Sequence, residues 1–219
     1  MLLFSAKKKI QDYIMNEIGI SLGWNCHSAV WGVKVGIRKQ KNEGYKTCPF
    51  DEMVTNYKGI IDCLNDDFKY FHDENYIEMI KEVKEDEYLI YNNKYNFIFN
   101  HESPGHADLY IQQNWPEGIN HYVNNNFFHF KERYNKRIHN FRSYLSDPNN
   151  FITFILTSWN KTDNDIIDLK MAIEKHYPSL KYKFVIIDDP NGKEYYLKHI
   201  RYMRYKEDDD EIQRLLENT

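Results

Sequence analysis

The run Phe151-Ile152-Thr153-Phe154-Ile155-Leu156 constrains the fold more than any other segment. It offers no charged side chain to water, which is the signature of a buried central strand. Phe184-Val185-Ile186-Ile187 is a second run of this kind. Between them, Ile166, Ile167, Leu169 and Ile173 recur at helical spacing over 163–176. Strand, helix and strand in that order predict a βαβ unit with parallel strands. Asp188-Asp189-Pro190-Asn191-Gly192 reads as the turn that ends the second strand. The alternation of Tyr196, Lys198, Ile200, Tyr202 and Arg204 then predicts an antiparallel edge strand over 194–205.

The first half alternates short helices and strands. Ile10, Tyr13 and Ile14 predict a helix over 7–16, followed by a short strand at 18–22 and a turn at Gly23-Trp24-Asn25. Val30, Trp31, Val33 and Val35 predict an apolar helix over 26–36 inside the core, stopped at Gly36. A polar loop covers 38–47. A second helix is expected at about 52–65, with Met53, Tyr57, Ile60, Ile61 and Leu64 on one face and Asp51 placed to cap it. A short amphipathic helix at 76–84, a β-hairpin of 87–91 and 94–99, and a long polar-aromatic helix over 119–145 complete the pattern. The expectation is an α/β or α+β fold, a single domain over 1–206 with a mixed sheet flanked by helices, and an acidic tail at 207–219. A chain of 219 residues suits one sizeable core.

Bulk charge removes several function classes. The net charge of −4 gives no overall basic field for nucleic acid or anionic lipid. The cations Arg133, Lys136, Arg137 and Arg142 read as a solvated helix face. No segment approaches ~18 uninterrupted apolar residues, so no membrane span is expected. The start has its basic cluster after its apolar patch, the reverse of a signal peptide. Three cysteines, an odd count, point to free thiols in a reducing, cytoplasmic setting.

Chemistry concentrates at Ser21-Leu22-Gly23-Trp24-Asn25-Cys26-His27. A thiol at a helix start sees unpaired N–H groups and the positive end of the helix, which favour the thiolate. Cys26 is thus a candidate nucleophile, weighed against a buried cysteine that packs as a small hydrophobe. Asn25, with Ser21 and Trp24 beside it, is a candidate for holding an oxyanion or substrate. His101, at the end of a predicted strand, is a candidate base, weighed against a structural histidine; His106 is its backup. Asp51 could orient His101 as the third member of a triad, with helix capping as its minimum role. His101-x4-His106 with Glu102 and Asp108 is interrupted by Pro104-Gly105, so no metal site is expected there. Gly19 and Gly23 fit no phosphate loop, and no cofactor is expected.

Ser21-Leu22-Gly23-x-Asn25-Cys26, Gly36-x-Arg38, Pro49-Phe50-Asp51 and Phe99-x-His101 together resemble DUF1796, a family predicted to be papain-like cysteine peptidases. Arg137-Ile138 and the strand at 151–156 are similar to its later half, and the likeness spans about residues 17–190. The family commonly has Trp after Pro-Phe-Asp and an arginine ending the strand near 158; here Glu52 and Thr157-Ser158-Trp159 stand instead. The resemblance implies a nucleophile helix starting after residue 25, Cys26 as nucleophile and His101 as base. A papain-like order places the orienting acid after the histidine, as Asp188 would be. The implied activity is a thiol hydrolase or acyl/amide transferase acting on a peptide, acyl or glycan-linked substrate. The competing reading is a non-catalytic binding or scaffolding module that keeps the fold.

Overall fold

The computed structural model describes residues 15–82, 87–106, 115–157, 164–187 and 200–204. The predicted helix at 7–16, the turn at 188–192 and the acidic tail lie outside these residues, apart from Met15, which is in no helix, and Asn16, which already belongs to the first strand. The fold is mixed α/β. β1 (Asn16–Ser21), β5 (Asn150–Thr157), β6 (Lys181–Ile187) and β7 (Ile200–Arg204) form a four-stranded sheet in the order β1-β5-β6-β7. β1 and β6 both run parallel to β5, and β7 pairs antiparallel with β6 at the edge. The βαβ unit is β5, α4 (Asp165–His176) and β6.

The sheet is covered on both faces because its residues alternate. Ile155, Val185 and Ile187 point to one side, where Trp31 of α1 (Cys26–Lys34) packs. Ile152, Phe154, Leu156, Tyr182, Phe184 and Ile186 point to the other, into the main core. That core is shared with α2 (Tyr57–Asn65), α3 (Asn124–Ser146) and α4. Each fully buried large side chain there stabilises the fold by about 1.5–3 kcal/mol.

The second sheet is an antiparallel meander of β2 (Ile77–Glu82), β3 (Glu87–Asn92) and β4 (Phe97–Ile98). Phe50 joins the two regions, its ring 5.8–6.1 Å from those of Phe68, Phe71, Phe97 and Phe141.

Four expectations are corrected here. Residues 77–82 are a strand, not a helix: pairing Ile77 with Asn92 and Met79 with Ile90 overrides a weak helical pattern. The second helix begins at Tyr57 rather than 52, because Asn56 caps it through the Gly59 N–H at 2.7 Å. Asp51 therefore does not cap it. Residues 49–52 form instead a separate 3₁₀ turn, in which Asp51 accepts the Cys48 N–H at 2.7 Å. Finally, α1 buries only the Ser28, Ala29, Trp31 and Gly32 face, and Val30 is 43% exposed. The 3.6-residue period takes Val30 and Val33 off the sheet-facing side.

Candidate active site

β1 delivers the chain to Leu22, and residues 23–25 must turn it into α1. Gly23 has φ +103°, and a Cβ there would lie 1.7 Å from Thr55 Oγ1, so only glycine fits. Asn25 is extended, and its Oδ1 accepts the His27 N–H at 2.8 Å, capping the helix. Ser28 donates to the Gly23 carbonyl at 2.8 Å and sits 2.6 Å from the Ser21 hydroxyl. Ser21 is fully buried and braces the turn, its hydroxyl accepting the Gly23 N–H at 3.2 Å. These bonds leave Cys26 as the first residue of α1, half-buried, with a free thiol.

His101 reaches the same place through Val54 and Thr55. Val54 pairs with Ile98 in an antiparallel bridge of 2.8 and 3.0 Å. The next residue, Thr55, donates its N–H to the Trp24 carbonyl at 2.8 Å. Two adjacent residues thus hold the Cys26 turn on one side and the β4 chain on the other. Beyond Ile98, Phe99 leads into a 3₁₀ turn, Asn100–Glu102, that carries His101. Ser103 fixes that turn: its hydroxyl donates to the Phe99 carbonyl at 2.7 Å and accepts the Ile90 N–H at 2.8 Å.

Cys26, His101, Asp51, Glu52 and Arg38 line one cavity of about 590 Å³. Trp24 lines a different cavity, of about 340 Å³, with Thr55, Tyr57 and Asp165. Asp188 lies outside the described residues.

Asp51 is fully buried, and its carboxylate is taken up by Arg38 at 3.0 Å, the Tyr45 hydroxyl at 3.0 Å and the Cys48 N–H. Burial raises its pKa against the pull of Arg38. Arg38 also lies 4.0 Å over the Tyr45 ring.

The expectation of a thiol biased towards thiolate is corrected. Burial pushes the Cys26 thiol up; its own backbone N–H pulls it down, and the Glu52 carboxylate adds to the rise. Burial lowers His101 below the ordinary histidine value, although Glu102 and Glu52 oppose this. Both groups are therefore biased to their neutral forms.

Below the cavity lies an ion-pair network. Glu52 pairs with Lys41 at 2.9 Å, Arg133 at 3.3 Å and Arg137. Against the cost of burial, these three cations hold its carboxyl well below the usual range. Glu102, fully buried, pairs with Arg133 at 2.7 Å and Arg137 at 3.4 Å, and accepts from the Tyr134 hydroxyl at 2.9 Å. The solvated basic face is corrected accordingly: Arg137 is 4% exposed, whereas Lys136 is exposed. The spacing held this signal, because Phe130, Tyr134, Arg137, Ile138 and Phe141 fall on one helical stripe. Of the residues around Pro104-Gly105, Glu102 is committed to the arginines and His106 is paired to Glu87 at 3.4 Å. Asp108 is outside the described residues.

A family model described as "Putative papain-like cysteine peptidase (DUF1796)" matches residues 17–192. No curated protein and no solved structure matches the chain. No helix among the described residues is long and apolar enough to cross a membrane.

Proposed function

We propose that this chain, which belongs to the DUF1796 family, is a cysteine-dependent hydrolase or acyl/amide transferase with Cys26 as nucleophile and His101 as base. The observation that carries this reading is the shared cavity: a thiol at a helix N-terminus and an imidazole from a distant turn line the same wall space. Both groups start neutral, so the imidazole takes the thiol proton as sulfur attacks the carbonyl. The N-terminal N–H groups of α1, that of Cys26 among them, face the oxyanion that develops. The imidazolium then protonates the leaving group, and water or another nucleophile releases the acyl group from sulfur.

Asn25 serves this site by capping α1, and Asp51 by holding Arg38 on the cavity wall. Of the acids, Glu102 and Glu52 act directly on the charge of His101 and stabilise its protonated form. Asp188 retains its place only through chain order. The substrate class is a peptide, acyl or glycan-linked carbonyl compound handled without a cofactor.

One observation favours the second reading, a non-catalytic module: burial and Glu52 both work against the Cys26 thiolate. The two readings separate on acyl transfer. Simple alkylation of the three thiols does not separate them, because Cys48 and Cys63 are fully buried and exposure alone would favour Cys26. The full chain should therefore be treated with p-nitrophenyl acetate and the acetyl group located by mass spectrometry. The hydrolase reading expects acetylation at Cys26, slowed about 100-fold in His101→Ala. Acetylation that is absent, or indifferent to His101, supports the module.

A further inference from the structure

We propose that Glu117, His121 and His129 form a binding site for a divalent transition metal of the zinc class, separate from the Cys26 cavity. One ligand atom from each of the three side chains lies within 4.8 Å of the others. Glu117 Oε1 and His129 Nε2 are 3.5 Å apart. Zinc–ligand bonds of about 2.0–2.1 Å place two tetrahedral ligands about 3.3 Å apart, so this pair already stands near its bound separation. His121 closes the set with a side-chain movement of up to about 1.5 Å on the same geometry.

The strongest single observation is His121 itself. It is 8% exposed, and its Nδ1 has no hydrogen-bond partner. A buried ring nitrogen left unpaired costs free energy that a bound cation would recover. Its ring stacks on His129 with centroids 4.3 Å apart, which keeps the two imidazoles together.

The surroundings have the form of an outer shell. Glu132 Oε2 lies 3.4 Å from His129 Nδ1, the ring atom facing away from Glu117. A carboxylate there favours the tautomer that leaves Nε2 free to ligate. Asn124 Nδ2 donates at 2.9 Å to Glu117 Oε2, leaving Oε1 for the metal. Arg133, a like charge that acts on His121, is bonded to the Tyr122 hydroxyl at 3.0 Å and is already paired with Glu102 and Glu52.

Two imidazoles and one carboxylate select a borderline cation such as Zn²⁺ over Mg²⁺ or Ca²⁺, which prefer oxygen alone. Three protein ligands leave a fourth position for water. The site bridges Glu117 and His121, before the kink at Asn125–Phe127, to His129 beyond it, so the metal would clip that corner of the fold.

The test is a Zn²⁺ titration of the full chain, stripped with EDTA, in competition with a chromophoric chelator. It is run in the natural sequence and in Cys26→Ser/His101→Ala, which removes the thiol as a rival ligand. One Zn²⁺ per chain is expected in both. Glu117→Gln and His129→Ala should each weaken binding about 100-fold or more, and Glu132→Gln about 10-fold. Both ligand positions are partly exposed, so these variants spare the core, and thermal melts without metal check that they fold. The Co²⁺ complex should show tetrahedral visible bands without a sulfur charge-transfer band. Binding that survives Glu117→Gln and His129→Ala unchanged, or that disappears only in Cys26→Ser/His101→Ala, overturns the proposal.

Discussion

The two walls of the Cys26 cavity are held by contacts of different range. On the cysteine wall, Ser21 and Ser28 meet across seven residues, and the Asn25 cap spans two. On the histidine wall, Tyr134 reaches Glu102 across 32 residues, and Arg137 reaches Glu52 across 85. The first wall is a neutral strand–turn–helix unit with its own cap. The second is a set of buried charges that balance only when α3 and two 3₁₀ turns are all in place. Neutral hydrogen bonds, mostly local with Thr55 as a distant anchor, set where the sulfur sits; the turn that carries the imidazole has its own Ser103 bonds and depends in addition on long-range ion pairs.

This contrast predicts unequal costs of damage. Removing a partner from a buried ion-pair network leaves a charge without compensation, so Glu102→Ala should lower the unfolding free energy by about 3–5 kcal/mol. Urea denaturation measures this, and a loss below about 1 kcal/mol would mean the network does not hold the histidine wall. Glu102→Gln keeps an acceptor for Tyr134 and should lose less. On the cysteine wall, Gly23→Ala meets both the positive φ and Thr55, for about 1–3 kcal/mol. Combining it with Thr55→Ala should recover the steric part alone; full additivity of the two would break the proposed contact. Asn25→Ala should cost about 1 kcal/mol, the ordinary value of a lost cap, read from the same urea curves.

The smallest effect joins the two walls. Glu52 favours the neutral Cys26 thiol. Glu52→Gln removes that carboxylate and leaves Arg133 and Arg137 nearby, so the thiol pKa should fall. The pH dependence of iodoacetamide labelling at Cys26 reads this directly, and a rise would show that Glu52 does not face the sulfur.

The same contrast of ranges explains what the sequence disclosed. The strand run at 151–156, the βαβ unit and the turn before Cys26 depend on neighbours in the chain, and all were legible. The conversion of 77–82 into a strand depends on β3, which a single-segment pattern does not contain; the place of Arg137 on the apolar stripe was legible, whereas its partners Glu52 and Glu102 lie far away in the chain. Asp51 looked like a helix cap because carboxylates cap helices; only the structure shows its bonds to Arg38 and Tyr45. Neither composition nor spacing signals that Glu52 belongs to the cavity. The pair of His121 and His129 was hidden because the kink between them breaks any helical register.

The pH profile of Cys26 acetylation by p-nitrophenyl acetate, in the natural sequence and in His101→Ala, bears most directly on the pairing of sulfur and imidazole. A neutral thiol assisted by a neutral imidazole gives an acid limb whose midpoint lies below the usual histidine value of 6.5, because burial lowers His101. That limb should vanish in His101→Ala, leaving only a slow rise towards the thiol's own raised pKa. Two superimposable profiles, each rising only at alkaline pH, would show that the imidazole never serves the sulfur.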